Sequence, residues 1–156
     1  MIPASVVRLL QDGTQEAVEQ MLQDAKAVFL VDWREEDDAI VGAAEDILQT
    51  GDLSAELVGI DDEPGFALYL SHKGKRDKVP LVAGNEDRHI TLHALNGLLR
   101  PEYEIRVSID SRGSDTLAFL PLPAADWTEL ESRFGKKVAA HFRKIEAHPN
   151  LFTERW

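Results

Sequence analysis

The sequence has no cysteine. Disulfides, thiolate nucleophiles and cysteine metal sites are therefore excluded, and the expected compartment is the cytosol. It also lacks any apolar run near the ~20 residues that span a bilayer, so no membrane segment is expected. Met1-Ile2-Pro3-Ala4-Ser5 has no basic stretch leading into an apolar core, and no secretory signal is expected. Glycines are scattered. Gly51, Gly59, Gly65 and Gly74 stand alone, and no Gly-rich phosphate loop can be drawn. No serine sits in G-x-S-x-G, the strand-turn-helix elbow that presents a nucleophile. Ser111, Ser114 and Asp115, with His141 and His148, supply the residue types of a Ser-His-Asp set but not that frame. Ordinary turn chemistry accounts for the serines and the aspartate.

Basic residues are scarce in the first half. Residues 1–65 carry sixteen acids against three bases (Arg8, Lys26 and Arg34), a net of −13, whereas residues 66–156 carry a net of +2. The acids concentrate at Asp32-Trp33-Arg34-Glu35-Glu36-Asp37-Asp38 and at Asp61-Asp62-Glu63. A field of this sign attracts cationic partners and repels nucleic acid. Solubility is the plain alternative.

What is present in pattern is a hairpin. Tyr103, Ile105, Val107 and Ile109 alternate with Glu104, Arg106, Ser108 and Asp110, the period of a strand with one apolar face. Ser111 to Asp115 supplies a turn, and Thr116 to Leu120 a return strand that Pro121 and Pro123 are expected to stop. Ile105, Val107, Ile109, Leu117 and Phe119 are the expected core. Before this hairpin the pattern gives helices over Pro3–Leu10 and Thr14–Asp24, a buried strand over Ala27–Val31, and a helix beginning at Asp32, which has capping-box spacing to Glu35. Strands follow over Leu53–Ile60, Phe66–Leu70 and Lys78–Val82, then a helix over Asp87–Leu99. The last helix is expected from Ala124 to Ala147, with a weak point at Gly135. Only residues 27–60 could give a parallel pair. The expected fold is α+β, one domain over residues 1–156, with a mixed or mainly antiparallel sheet of about five to six strands and helices packed on it.

Three clusters carry possible chemistry. His89 and His93 lie one helical turn apart, a spacing that suits zinc, and Asp87 could add an oxygen. No glutamate follows His89 as a zinc-protease motif would require, and a solvated helix face explains the pair as well. The Asp32–Asp38 run could hold a divalent cation for phosphate chemistry, but capping and the helix dipole explain the same acids. Lys73, Lys75, Arg76 and Lys78 could touch phosphates, although a charged hairpin guarding a sheet edge fits an acidic protein better. Trp33 is the residue these structural explanations leave over. It is either an exposed partner anchor or part of the core.

A small α+β chain with an acidic half and no convincing catalytic set is similar in type to bacterial immunity proteins, which neutralise toxins. No shared motif underlies that likeness. The expected function is a cytoplasmic, immunity- or inhibitor-like binding protein that docks a basic protein partner through Trp33, Glu35, Glu36, Asp38, Asp61, Asp62 and Glu63. No nucleic acid, membrane or cofactor is expected. A metal-dependent hydrolase using His89 and His93 or the Asp32–Asp38 run is the alternative, and a non-catalytic ligand-binding or regulatory domain a further one.

Overall fold

The computed structural model describes residues 1–156. In chain order the elements are helices α1 (Ala4–Asp12) and α2 (Gln15–Leu22), strand β1 (Phe29–Asp32), helix α3 (Asp37–Leu48), strands β2 (Ser54–Gly59), β3 (Phe66–His72) and β4 (Lys75–Lys78), helix α4 (Asp87–Leu99), strand β5 (Tyr103–Ser108), strand β6 (Thr116–Pro123), helices α5 (Ala124–Phe134) and α6 (Lys136–His141), and strand β7 (Phe142–Lys144). The fold class is α+β, as expected, with seven strands in two antiparallel sheets. No helix is long and apolar enough to cross a membrane. The chain divides into two compact units, residues 1–32 with 101–144 and residues 33–100 with 145–156.

The first unit is built on the sheet β1-β6-β5-β7. Its centre is the expected hairpin, with Val107 opposite Phe119 and Ile105 opposite Pro121. Ile105, Val107, Leu117 and Phe119 are buried, while Ile109 is half-buried in a short 3-10 turn after β5. Helices α1, α2, α5 and α6 contribute Leu9, Leu10, Met21, Trp127, Leu130 and Val138 to one cluster with Leu120 and Phe142. The Trp127 and Phe142 rings meet edge to face at 5.5 Å.

Local chemistry sets the helix ends. The Thr14 hydroxyl accepts the Ala17 amide at 3.2 Å and starts α2. Gly13, with φ of 63°, closes α1 by donating its amide to the Leu9 carbonyl.

The structure departs from the sequence pattern in several places. β6 runs through both prolines to Pro123. β1 stops pairing with β6 at Phe119, so Pro121 and Pro123 lie where β6 is an edge on that side and owes no amide. The polar face read into Tyr103–Asp110 is not solvated, because Arg106 and Ser108 are buried. Arg106 instead lies over the Trp127 ring at 4.1 Å and pairs with Glu104 at 3.0 Å. The last helix breaks at Gly135 and ends at His141, where Phe142 leaves it to pair with Ser108. β4 runs over Lys75–Lys78 instead of the expected Lys78–Val82, and leaves Pro80 outside the sheet. Finally, residues 27–60 give no parallel pair, because β1 and β2 belong to different sheets.

The second unit is the sheet β2-β3-β4 with α3 and α4 packed on it. Leu68, Leu70 and His72 of the central strand are buried, with Ile40, Val41 and Ala44 of α3 and Leu92, Leu95 and Leu99 of α4. It holds sixteen acids and eight bases, a net of −8. The acidic half of the sequence is therefore not one body, since its first 32 residues belong to the other unit.

Candidate binding cleft

Helix α3 starts at Asp37 rather than at the expected Asp32, and the reason is a residue of α4. Asp32 is spent on β1, opposite Thr116. The next residues form a turn that Arg88 holds from outside, donating from Nη1 to the Glu35 carbonyl at 2.7 Å. The same guanidinium grips Asp37 with two parallel bonds, from Nε and Nη2 to the two carboxylate oxygens, each 2.8 Å. Thr91 adds a hydroxyl donor to Asp37 at 3.0 Å. A fork-to-fork pair of this kind fixes direction as well as distance. Burial raises the pKa of Asp37, and the hydrogen bonds and charge of Arg88 oppose the rise.

Asp87, the other buried carboxylate here, accepts the amides of Val82 at 2.8 Å and Ala83 at 3.1 Å. It anchors a loop in which Ala83 takes a left-handed φ of 61°. The Asp37 charge is thus met by Arg88, and that of Asp87 by backbone donors.

Beside these fixed groups opens a cleft of about 530 Å³. Its apolar lining comes from Leu57 of β2, Pro64, and Phe66 of β3. Glu35 and Glu36 line it from the turn before α3, Asp38 from the first turn of α3 and Glu63 from the turn after β2, with Arg34 and Arg88 as the cations of the same lining. No ion pair neutralises Glu36, Asp38 or Glu63. Parts of both acidic stretches therefore share one cavity. Asp61 and Asp62 are exposed on the same turn but do not line it. Trp33 is 45% exposed, with Arg34 stacked over its ring at 5.4 Å, so it is a surface residue and not core. Leu57 is also exposed, at 46%.

The histidine pair is arranged differently. His89 is buried, donates from Nε2 to the Glu146 carbonyl at 2.7 Å, and accepts the Leu151 amide at Nδ1. Both ring nitrogens are occupied by backbone. His93 is exposed, its ring 6.5 Å from that of His89. Asp87 turns its oxygens to Val82 and Ala83, and no group of three or more histidines or carboxylates is arranged to hold an ion. The geometry makes His89 a fastening for the C-terminal residues.

The serine set does not assemble either. The Ser111 hydroxyl donates to the Ser108 carbonyl at 2.7 Å and accepts the Ala118 amide at 3.0 Å, closing the turn. Ser114 accepts the Thr116 amide, and His141 pairs with Asp110 at 2.7 Å. In the basic hairpin, Arg76 stacks on Tyr69 at 3.9 Å and pairs with Glu56 at 2.8 Å. These groups serve the fold of their own unit.

Sequence reasoning found the acids of the cleft but missed Leu57, Pro64, Phe66 and Arg88. The exposed run Leu57, Val58 and Ile60, beside an acidic turn, is the signal that could have found the apolar part. Comparison with protein-family models, curated proteins and solved structures gives no match.

Proposed function

We propose that this chain is a binding protein that docks a basic protein partner, with the acidic cleft as the centre of the docking surface. The observation that carries the reading is the shared cavity. Glu36, Asp38 and Glu63, none of them ion-paired, line one cavity with Arg34 and an apolar patch of Leu57, Pro64 and Phe66. A lysine or arginine side chain has matching parts, an aliphatic stem for the apolar patch and a cationic head for the carboxylates. Arg88 and Asp37 hold the border in place before any partner arrives, which limits the ordering cost of binding. Trp33 provides exposed aromatic area of the kind that anchors interfaces. Asp61 and Asp62 add long-range attraction from the neighbouring turn. An inhibitor- or immunity-like role belongs to this reading, since such proteins act by occupying a partner.

The test is capture from native cell extract at low and high salt, followed by mass spectrometry. The expected result is a basic protein retained at low salt and lost at high salt. The double variant Glu36→Lys with Glu63→Lys should no longer capture it. Retention that ignores both salt and the charge reversal would overturn the proposal.

A further inference from the structure

We infer that the partner of the cleft is bound by strand addition: an extended basic segment pairs with the open edge of β2 and places alternate cationic side chains over the cleft. This rests on the docking reading above and specifies its mode.

Strand β2 is an edge of its sheet, because the order is β2-β3-β4. The direction of its backbone groups follows from the ladder. The Ile60 amide donates to the Gly65 carbonyl at 3.1 Å, one step beyond the Gly59–Phe66 pair. In an antiparallel ladder, opposed residues alternate between exchanging both bonds and exchanging none. Val58, Glu56 and Ser54 therefore bond to β3, while Ala55, Leu57 and Gly59 turn their amides and carbonyls away from it. A second bond agrees. The Leu68 carbonyl, opposite Leu57, accepts the Val79 amide from the other side of β3. The residues with free backbone groups include Leu57, which also lines the cleft, so the edge and the cleft share one face.

The two edges of this sheet are guarded unequally. β4 is Lys75-Arg76-Asp77-Lys78, exposed throughout and charged at every position, as edges that avoid pairing usually are. β2 has one charge, Glu56, no lysine, no proline, and exposed Leu57 and Val58. Such an edge is a template for an added strand.

Charge selects the occupant. The unit carries a net of −8, and Glu36, Asp38 and Glu63 lie on the cleft side of the edge. A second copy would bring the same charge against itself. A basic segment relieves that charge, and pairing gives its side chains a period of two. In antiparallel addition the residue opposite Leu57 exchanges both backbone bonds with it and turns its side chain to the cleft face.

The probe is a short fluorescent peptide alternating arginine and threonine, with two isomers: one N-methylated at the arginine amides, the other at the threonine amides. Binding is read by anisotropy, and the Ala55, Leu57 and Gly59 amides by hydrogen exchange. The expected result is that one methylated register loses on the order of tenfold in affinity or more, while the other binds like the parent. Loss at the arginine amides means antiparallel addition, and loss at the threonine amides means parallel addition. The parent peptide should also slow exchange at the three amides. Equal affinities for the two registers, whether kept or lost, would overturn strand addition. If the parent still binds and Glu36→Lys with Glu63→Lys weakens it, the docking reading then survives alone. No saturable binding of the parent would overturn both. So would a dimer of the free chain with those amides already protected, which would make a second copy the occupant.

Discussion

His89 donates from Nε2 to the carbonyl of Glu146, 57 positions later in the chain, at 2.7 Å. The Leu151 amide donates to Nδ1 of the same ring at 3.3 Å, so the neutral tautomer with its proton on Nε2 is the one that fits. Burial holds the His89 pKa below the ordinary imidazole value of 6.5, with the nearby His93 and His148 adding to the depression and the Glu146 carbonyl opposing it. A depressed folded-state pKa gives stability that is complete above 6.5 and is lost as pH falls below it toward the folded value. The parent should therefore lose stability between pH 7.5 and 5.5 in urea melts, by at most about 1.4 kcal/mol per pH unit from this residue. His89→Leu should be less stable at pH 7.5 yet show a flatter pH dependence. Parallel profiles for parent and variant would remove His89 as the source.

A second prediction concerns Arg88, which donates to the Trp33 and Glu35 carbonyls of the turn before α3 and to both carboxylate oxygens of Asp37. Arg88→Met leaves Asp37 buried beside no cation, and should cost about 3–5 kcal/mol at pH 7. The pH dependence has a sign. Burial already raises the Asp37 pKa, so its contribution is greatest below 3.8 and declines as pH rises through the folded value. Removing Arg88 moves that value higher still. The deficit of the variant should shrink when denaturation is repeated at acid pH, as the raised Asp37 carboxyl takes up a proton. A deficit that stays constant from neutral to acid pH would show that the lost backbone contacts, and not the lost ion pair, set the cost.

These two residues also show where sequence patterns stop. The hairpin of β5 and β6 was legible because alternation is local, and its register follows from which face is buried. The start of α3 was not. Asp32 and Glu35 have capping spacing, but the group that decides the boundary is Arg88, 51 positions from Asp37. β7 was hidden for a related reason. The sequence pattern carries one helix from Ala124 to Ala147, and it is the open edge of β5 that draws Phe142 into a strand. At the cleft, charge was legible and shape was not. Glu35, Glu36, Asp38 and Glu63 stand out in any reading, whereas Leu57 and Phe66 look like ordinary strand residues until the sheet leaves them uncovered.

The hairpin core gives a third prediction. Val107 is fully buried, opposite Phe119 on β6 and Arg143 on β7, so it sits inside the four-stranded sheet. Val107→Ala removes two methyl groups and leaves a gap the neighbours only partly close. The expected cost in denaturant melts is on the order of 1–3 kcal/mol. Ile109→Ala should cost less, because Ile109 is only half-buried in the turn. If Ile109→Ala costs more than Val107→Ala, the turn rather than the strand pair carries the stability of this unit.

The last prediction separates attraction from anchoring at the cleft, using the basic protein recovered by capture. Glu36 and Glu63 line the cleft, while Asp62 is exposed outside it. Exposed carboxylates such as these steer encounter, and salt screens them over about 8 Å at physiological strength. Glu36→Lys with Glu63→Lys should slow association by on the order of tenfold or more at low salt, and the difference should fade as salt rises. Asp62→Lys alone should slow it less, because it acts only at a distance. Trp33→Ala should behave in the opposite way. Trp33 is uncharged and 45% exposed in the free chain, so its loss leaves steering intact and removes contact area. The association rate should stay within about twofold of the parent while dissociation speeds up. Stopped-flow or surface-based kinetics at two salt concentrations resolve the two rates. If Trp33→Ala leaves the dissociation rate unchanged while the cleft variants still slow association, the partner sits on the cleft without reaching the turn before α3, and Trp33 drops out of the docking surface.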